Sequence, residues 1–214
     1  MKRLIFFLSI LLFINCDKKE NSTYKEMKAD RLLSESFNDN ELQNLAKIVD
    51  FFEIEIYKEI KERNIEKSYN EFLKRDSIKL HKEYKIYYFD YKEQKKLYSQ
   101  LDSIFFKNFW DIGYESGVNI DEKKYEFFVL KSYSKYGKFL KELSKNNKYI
   151  ADYYVDTVFM NDFLNKNATY NFSFNYRNYN FKDIKIRLVF ALHFICNNEF
   201  FYKNNLWQQQ KINQ

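Results

Sequence analysis

Proline is absent from this sequence of 214 residues, and glycine occurs only three times, at Gly113, Gly117 and Gly137. All-β sandwiches and barrels use both residues in their many tight turns, so this shortage favours helices. Histidine and cysteine are almost as rare, with two of each in the whole chain. The scarcity of cysteine excludes a multi-cysteine metal cluster and a disulfide framework.

Aromatic residues are abundant, at 21% of the chain, with 23 Phe and 19 Tyr among them. Their rings supply much of the apolar area available for burial, and each tyrosine hydroxyl needs a partner or water. Hydrophobic residues make up 45% and charged residues 31%, a mixture typical of globular proteins. A chain of this length can bury a substantial core, and we expect one domain.

The net charge of +6 contains two cations, Lys2 and Arg3, that belong to an N-terminal export signal described below. Without them the chain has 36 − 2 = 34 basic and 30 acidic residues, a net charge of +4. The two signs alternate closely, as in residues 58–63, which is typical of a solvated helix face. We therefore predict no nucleic-acid partner.

The first 16 residues have the layout of an export signal. Lys2 and Arg3 precede an apolar stretch from Leu4 to Ile14 that only Ser9 interrupts, and Cys16 follows directly. Eleven residues suit a signal peptide and are too few for a membrane-spanning helix, which needs roughly 20. This layout resembles the precursors of bacterial lipoproteins, whose signal ends at the cysteine that becomes acylated.

The resemblance covers this segment alone, and Phe13 and Asn15 stand where Leu and a small residue are usual. It implies that residues 1–15 are removed and that Cys16 carries a diacylglycerol thioether and an acylated amino terminus. Two or three acyl chains hold a protein firmly on a membrane. The resemblance therefore implies an exported, lipid-anchored protein of the cell envelope, on the periplasmic face or the cell surface.

With Cys16 acylated, Cys196 has no cysteine with which to form an intramolecular disulfide. Cys196 ends the apolar run that begins at Leu188, which favours a buried and inert thiol over a reactive one. This run is apolar all round, so we predict that its helix lies at the centre of the fold.

Residues 16–36 are polar and charged, and we interpret them as a tether, with residues 37–214 forming a single helical domain. The first helix is predicted from a capping box, Asn38 with Glu41, and a hydrophobic staple, Phe37 with Leu42. Apolar residues then recur at three- and four-residue spacing over roughly 24 residues. The same spacing predicts five further helices, near residues 65–80, 91–109, 121–143, 150–163 and 181–201.

Two segments differ from this pattern. Apolar and polar residues alternate between Tyr170 and Tyr176, which is the period of a strand, and Tyr84–Phe89 is ambiguous between strand and helix. The two segments could pair as a ribbon. The predicted fold is therefore all-α or mostly α, a bundle of about six helices with a small two-stranded β ribbon if these segments pair.

No motif for catalysis or metal binding is present. His81 lies on a polar face and His193 in the most apolar stretch, and neither belongs to a zinc-binding pattern. A Gly-rich phosphate loop and the esterase motif G-x-S-x-G are both absent. Two carboxylate pairs at helical spacing could bind a cation or a sugar, but solvated helix faces are the commoner arrangement: Asp50 with Glu53, and Asp111 with Glu115.

We accordingly predict no catalytic residue, cofactor or metal, and a protein that is not an enzyme. The expected function is that of a lipoprotein, anchored to the membrane through Cys16, that binds another protein, for example as an immunity or inhibitor protein. One alternative is a surface lipoprotein that binds ligands or glycans through tyrosines such as those in 84–91 and 170–179. The other is an enzyme whose site no motif reveals.

Overall fold

The computed structural model describes residues 21–82, 89–116, 123–160, 164 and 166–212. These residues form ten α-helices and two strands. In chain order the elements are α1 (Ser22–Ala29), α2 (Arg31–Ser36), α3 (Asp39–Ile60), α4 (Ile65–Lys82), α5 (Tyr91–Gln100), α6 (Ser103–Phe109), β1 (Trp110–Ser116), β2 (Lys123–Leu130), α7 (Lys135–Ser144), α8 (Lys148–Tyr154), a π-helical turn (Val155–Phe159), α9 (Lys166–Phe174), a short 3₁₀ turn (Tyr176–Asn178) and α10 (Ile184–Ile212).

The interpretation of residues 16–36 as a tether is wrong from Ser22 onward, because α1 and α2 are packed helices. Met27 and Leu33 are completely buried in the core. The helix starts are capped, α1 by the side chain of Asn21 and α2 by that of Asp30. A few apolar residues suffice here because each is buried against α3 and the rest of the core. Residues 16–20, including Cys16, lie outside the described residues.

The predicted capping box at the start of α3 is confirmed. The backbone N of Glu41 donates to Asn38 Oδ1 at 2.9 Å, and the backbone N of Asn38 donates to Glu41 Oε2 at 2.8 Å. The helix ends at Lys61, whose φ of 63° lies in the left-handed region. This conformation stops the helix and turns the chain towards α4.

The mostly α fold with one small two-stranded ribbon is confirmed, but the ribbon lies elsewhere in the chain. Strands β1 and β2 pair antiparallel, from Trp110 opposite Leu130 to Ser116 opposite Lys123. The predicted strand Tyr170–Tyr176 is helical for most of its length, as part of α9. Its proposed partner, Tyr84–Phe89, lies outside the described residues except for Phe89.

Two predicted helices are also divided. The helix predicted for residues 91–109 breaks at Asp102, which caps α6 by accepting from the backbone N of Phe105 at 2.8 Å. Asn44 of α3 stabilises the break, since its Oδ1 accepts from the backbone N of Asp102 at 2.9 Å. The helix predicted for residues 121–143 is wrong in its first half, which forms β2, and α7 supplies the second half.

The last helix, α10, is central to the fold as predicted, because every side chain from Leu188 to Cys196 is buried. Helix α10 packs against α1, α3, α5 and β2. Stacked and edge-to-face rings surround it, and Phe190 and Phe194 contribute to many of these pairs. Of the helices in the described part of the chain, none combines the length and hydrophobicity needed to cross a bilayer.

Candidate functional site

His193 is a buried and neutral side chain. Its Nε2 lies 3.0 Å from Thr169 Oγ1 and 3.0 Å from Asn197 Nδ2, and the ring stands edge-on to Phe172. Burial lowers the pKa of His193 to about 3. An imidazole enclosed and hydrogen-bonded in this way stabilises α9 and α10 against each other and has no access to a substrate. His81 lies near the end of α4, and its side chain is outside the described residues.

Cys196 is a free and completely buried cysteine. Burial raises the pKa of its thiol to about 12. Only the thiolate is strongly nucleophilic, so this thiol stays protonated at neutral pH and is unreactive. Cys196 therefore acts as a small apolar side chain in the centre of α10.

The carboxylates of Asp50 and Glu53 do not form a shared site. Asp50 accepts from Thr23 Oγ1 at 2.5 Å and holds α1 against α3. Glu53 accepts from Arg187 Nη1 at 2.8 Å, and Arg187 also bonds to Glu26 of α1. Burial raises the pKa of Glu53, and the charge of Arg187 opposes this rise. These hydrogen bonds and ion pairs join α1, α3 and α10, so both carboxylates have partners within the fold.

A polar network inside the core was not predicted. Asn198 Nδ2 donates to Gln94 Oε1 at 2.7 Å, and Gln94 Nε2 donates to the carbonyl oxygen of Ile195 at 2.9 Å. The backbone N of Phe89 donates to Asn198 Oδ1 at 3.1 Å. Glu199 accepts from the backbone N of Phe128 at 3.1 Å. The sequence signal was Asn197-Asn198-Glu199, three polar residues directly after the apolar run of α10.

These buried groups join α5, the ribbon and α10 and are themselves nearly inaccessible to solvent. Within the described ranges, no group of three or more His, Cys, Asp or Glu side chains is placed to hold a metal ion.

A surface cleft of about 490 Å³ lies at the base of the ribbon. Its walls come from the end of α6, from β1, and from β2 with the turn that follows it. The lining residues are Asn108, Asp111, Ile112 and residues 129–134. A cleft of this size can receive one or two side chains or a small ligand.

Large side chains are exposed beside this cleft. Tyr133, in the turn after β2, is 91% exposed and lines the cleft, as does the exposed Ile112 of β1. Tyr114 is also exposed and lies two residues beyond Ile112, on the same face of the strand. We call Ile112, Tyr114 and Tyr133, together with the cleft, the ribbon surface.

The outer edge of β1 adjoins no other strand in the part of the chain described here. The backbone N of Lys131 donates to the carbonyl oxygen of Phe109 at 2.9 Å. Because hydrogen-bonded pairs alternate along an antiparallel ladder, this bond and the register direct the backbone N–H of Ile112 away from β2, towards the outer edge of β1. That N–H donates to the carboxylate of Asp111 at 2.9 Å. A side chain thus occupies one donor of this edge that would otherwise be available to pair with another strand.

Comparison with models of known protein families, with curated proteins and with solved structures gives no match for this chain. The arrangement of its own residues is therefore the basis for a functional proposal.

Proposed function

We propose that this protein is a lipoprotein of the cell envelope, anchored through acylated Cys16, that binds another protein without catalysing a reaction. An immunity or inhibitor protein, which neutralises a toxin or hydrolase, is one specific form of this function. The observation that carries the proposal is the ribbon surface, where three large side chains are exposed around a cleft. His193, Gln94 and Asn198 of the core, in contrast, are enclosed and hydrogen-bonded within the fold.

Tyrosine suits a binding surface because it buries a large, rigid area and keeps a hydroxyl for hydrogen bonding. Tyr133 is almost fully exposed, so a partner that covers it gains apolar burial that folding does not provide. The exposed Asp111 lines the cleft beside Tyr133, and its carboxylate offers polar contacts for a side chain of the partner.

The anchor is supported by the layout of the first 16 residues. Cells that make the protein can be labelled with a clickable fatty acid to test it. We expect the wild type and Cys196→Ser to carry the label and Cys16→Ser to lose it and leave the membrane fraction. A labelled Cys16→Ser protein, or an unlabelled wild type, would contradict the anchor.

Protein binding can be tested with a photocrosslinking amino acid at position 114 in cells that make the protein. We expect a discrete adduct that Tyr133→Ser reduces by about 30-fold, since an interface tyrosine contributes about 2 kcal/mol. Tyr57→Ser, a change to an exposed tyrosine of α3, is the matched control and should leave the adduct unchanged. An adduct insensitive to Tyr133→Ser would sink the proposed surface.

The ribbon surface also favours a second candidate, a glycan ligand. Exposed rings beside polar groups are typical of sugar-binding sites, and Tyr133 lines the same cleft as Asp111. Binding to a glycan array, lost in Tyr133→Ser and in Tyr114→Ser, would favour this candidate over a protein partner. Purified protein that binds no glycan would exclude it.

A further inference from the structure

Positive charge is concentrated in one short part of the chain. Residues 131–148 contain six lysines and a single acidic residue, Glu142, so this segment has a net charge of +5. The chain without its export signal has a net charge of only +4. The remainder is therefore close to neutral, and residues 131–148 carry the excess.

Four of these lysines form what we call the basic face: Lys138, Lys141, Lys145 and Lys148. All four are exposed, on α7, just after it, and at the start of α8. Among the described residues, no carboxylate lies within salt-bridge distance of Lys138, Lys141 or Lys148, whereas Lys145 pairs with Glu142 at 2.5 Å. The basic face is thus largely uncompensated.

Large apolar side chains are exposed on the π-helical turn that follows α8 and contacts that helix. Phe159 is 74% and Met160 63% exposed, at the end of the π-helical turn. Their neighbour Val158 packs towards Gly137 in the first turn of α7, 3.5 Å from the position that a Cβ there would occupy. Phe159 and Met160 therefore directly follow a residue that contacts α7.

We propose that the basic face, with Phe159 and Met160, rests on an anionic phospholipid surface. Lysines attract headgroup phosphates, and apolar side chains beside them can enter the interface. An acidic protein is the less favoured partner because lysine is depleted in protein interfaces. The nearby carboxylates are Asp152, which is exposed, and Asp156, which accepts from Asn171, and both would weaken this attraction.

This inference rests on the proposed acylation of Cys16, which would keep the body close to lipid. Six residue steps separate Cys16 from Ser22, a span of at most about 20 Å. The segment after α2 contacts α7 directly, because the rings of Phe37 and Phe139 are 5.5 Å apart. A short tether raises the effective concentration of the basic face at the membrane, so a weak electrostatic attraction is sufficient.

The test uses the mature acylated protein on vesicles of phosphatidylcholine, with or without phosphatidylglycerol. Acylated protein should float with both kinds of vesicle. Trypsin should cleave after Lys138 and Lys141 about fivefold more slowly on the anionic vesicles, and 0.5 M salt should remove the protection because it screens surface charge. Equal cleavage on both kinds of vesicle would overturn the inference.

Matched variants test the location of the contact by hydrogen exchange of α7 on the same vesicles. Lys138→Gln/Lys141→Gln/Lys148→Gln should abolish the difference between the vesicles. The control variant has the same change of charge on exposed lysines of other helices: Lys67, Lys74 and Lys92. This control variant should retain the difference in hydrogen exchange between the two kinds of vesicle, and Asp152→Asn should enlarge that difference. Equal effects of the two triple variants would contradict a specific face.

Failure of the anchor gives a different result. Protein that lacks acyl chains would not float with neutral vesicles. It would still support docking of the basic face if it floated with anionic vesicles and if the triple variant of the basic face did not. Absence of flotation with both would overturn it. A crosslink from position 138 to an acidic protein that forms equally well on neutral vesicles would indicate a protein partner. That result would also overturn the docking on anionic lipid.

Discussion

The carboxylate of Glu199 holds the inner edge of β2, because its Oε1 accepts from the backbone N of Phe128 at 3.1 Å. The second oxygen of Glu199 is buried, and the hydroxyl of Tyr98 interacts with this carboxyl group. Burial raises the pKa of this carboxyl group, and the interactions with Phe128 and Tyr98 oppose the rise. The ribbon is thus fixed to α10 by a group that is costly to ionise.

We predict that Glu199→Gln keeps this hydrogen bond and raises the free energy of unfolding at pH 8 by about 1 kcal/mol. The pKa of Glu199 is raised in the folded state, so its contribution to the free energy of unfolding is fully present below the pKa of the unfolded chain. That contribution is lost as the pH rises through the pKa of the folded state. The gain should therefore vanish near pH 4. Glu199→Ala, which removes the acceptor, should cost about 1–3 kcal/mol. Urea unfolding at pH 4 and 8 checks both, and no gain at pH 8 would contradict the prediction.

His193 should make the protein less stable in acid. Its pKa is lowered to about 3 in the folded state, so only the unfolded chain binds this proton between pH 3 and the ordinary value of 6.5. Its contribution is complete above pH 6.5 and falls by about 1.4 kcal/mol per pH unit below it. His193→Gln should flatten the stability profile between pH 4.5 and 6.5. An unchanged slope in urea titrations would show that other groups cause the acid loss.

Gly137 is required by a close approach of the backbone. A Cβ at this position would lie 1.8 Å from the carbonyl oxygen of Ser132. Helix propensity alone predicts that Gly137→Ala stabilises α7 by up to about 1 kcal/mol. We predict instead a loss of about 1–3 kcal/mol, because the turn before the helix must shift. Lys138→Ala, one residue further on, is the control and should change the unfolding free energy little. A stabilised Gly137→Ala protein would refute the prediction.

The ion pair of Arg187 with Glu53 should contribute strongly to holding α3 and α10 together. The Arg187 side chain is 8% exposed, so Glu53→Ala would leave a buried charge without the more buried of its two carboxylate partners. We expect a cost of about 3–5 kcal/mol and faster hydrogen exchange where α3 meets α10. Glu26→Ala should cost under about 1 kcal/mol, since that carboxylate is partly exposed. Equal costs for the two variants would contradict this assignment.

The sequence predicts those parts of the fold that local chemistry determines. The capping box of α3 and the central position of α10 follow from a few neighbouring residues. The prediction of a strand at Tyr170–Tyr176 is wrong. The apolar and the polar side chains that alternate there both include residues that are buried in α9. Phe172 stacks on Phe190 at 4.1 Å, and Ser173 bonds to the buried Asp76 of α4. An alternation of apolar and polar residues then carries no information about which side faces solvent.

Strand β2 was predicted as helix for a related reason. Its two faces both pack on aromatic rings, Phe127 against Phe200 of α10 and Phe128 against Phe106 of α6. A strand buried on both sides shows no alternation, and its apolar residues also match helical spacing. The ribbon surface could not be predicted, since it depends on the pairing of this strand with β1.

The buried state of His193 and Cys196 could be predicted because both lie in a long apolar run. The network of Gln94, Asn198 and Glu199 could not, because its partners are distant in the sequence. Glu199 and Phe128 are 71 residues apart, and Asn198 and Gln94 are 104 apart. Polar residues after an apolar run indicate a change of environment, but only the tertiary fold determines what they bond.

The central position of α10 also determines when the protein can fold. Arg187 pairs with Glu26, 161 residues earlier, so the first described helix cannot complete its contacts until the last one has been synthesised. Contacts between such distant residues slow folding, because a long loop must close before they form. A growing chain that ends before residue 184 lacks the helix around which the others pack. The core can therefore be completed only when α10 is present, and a premature stop before residue 184 would leave the earlier helices without the element around which they pack.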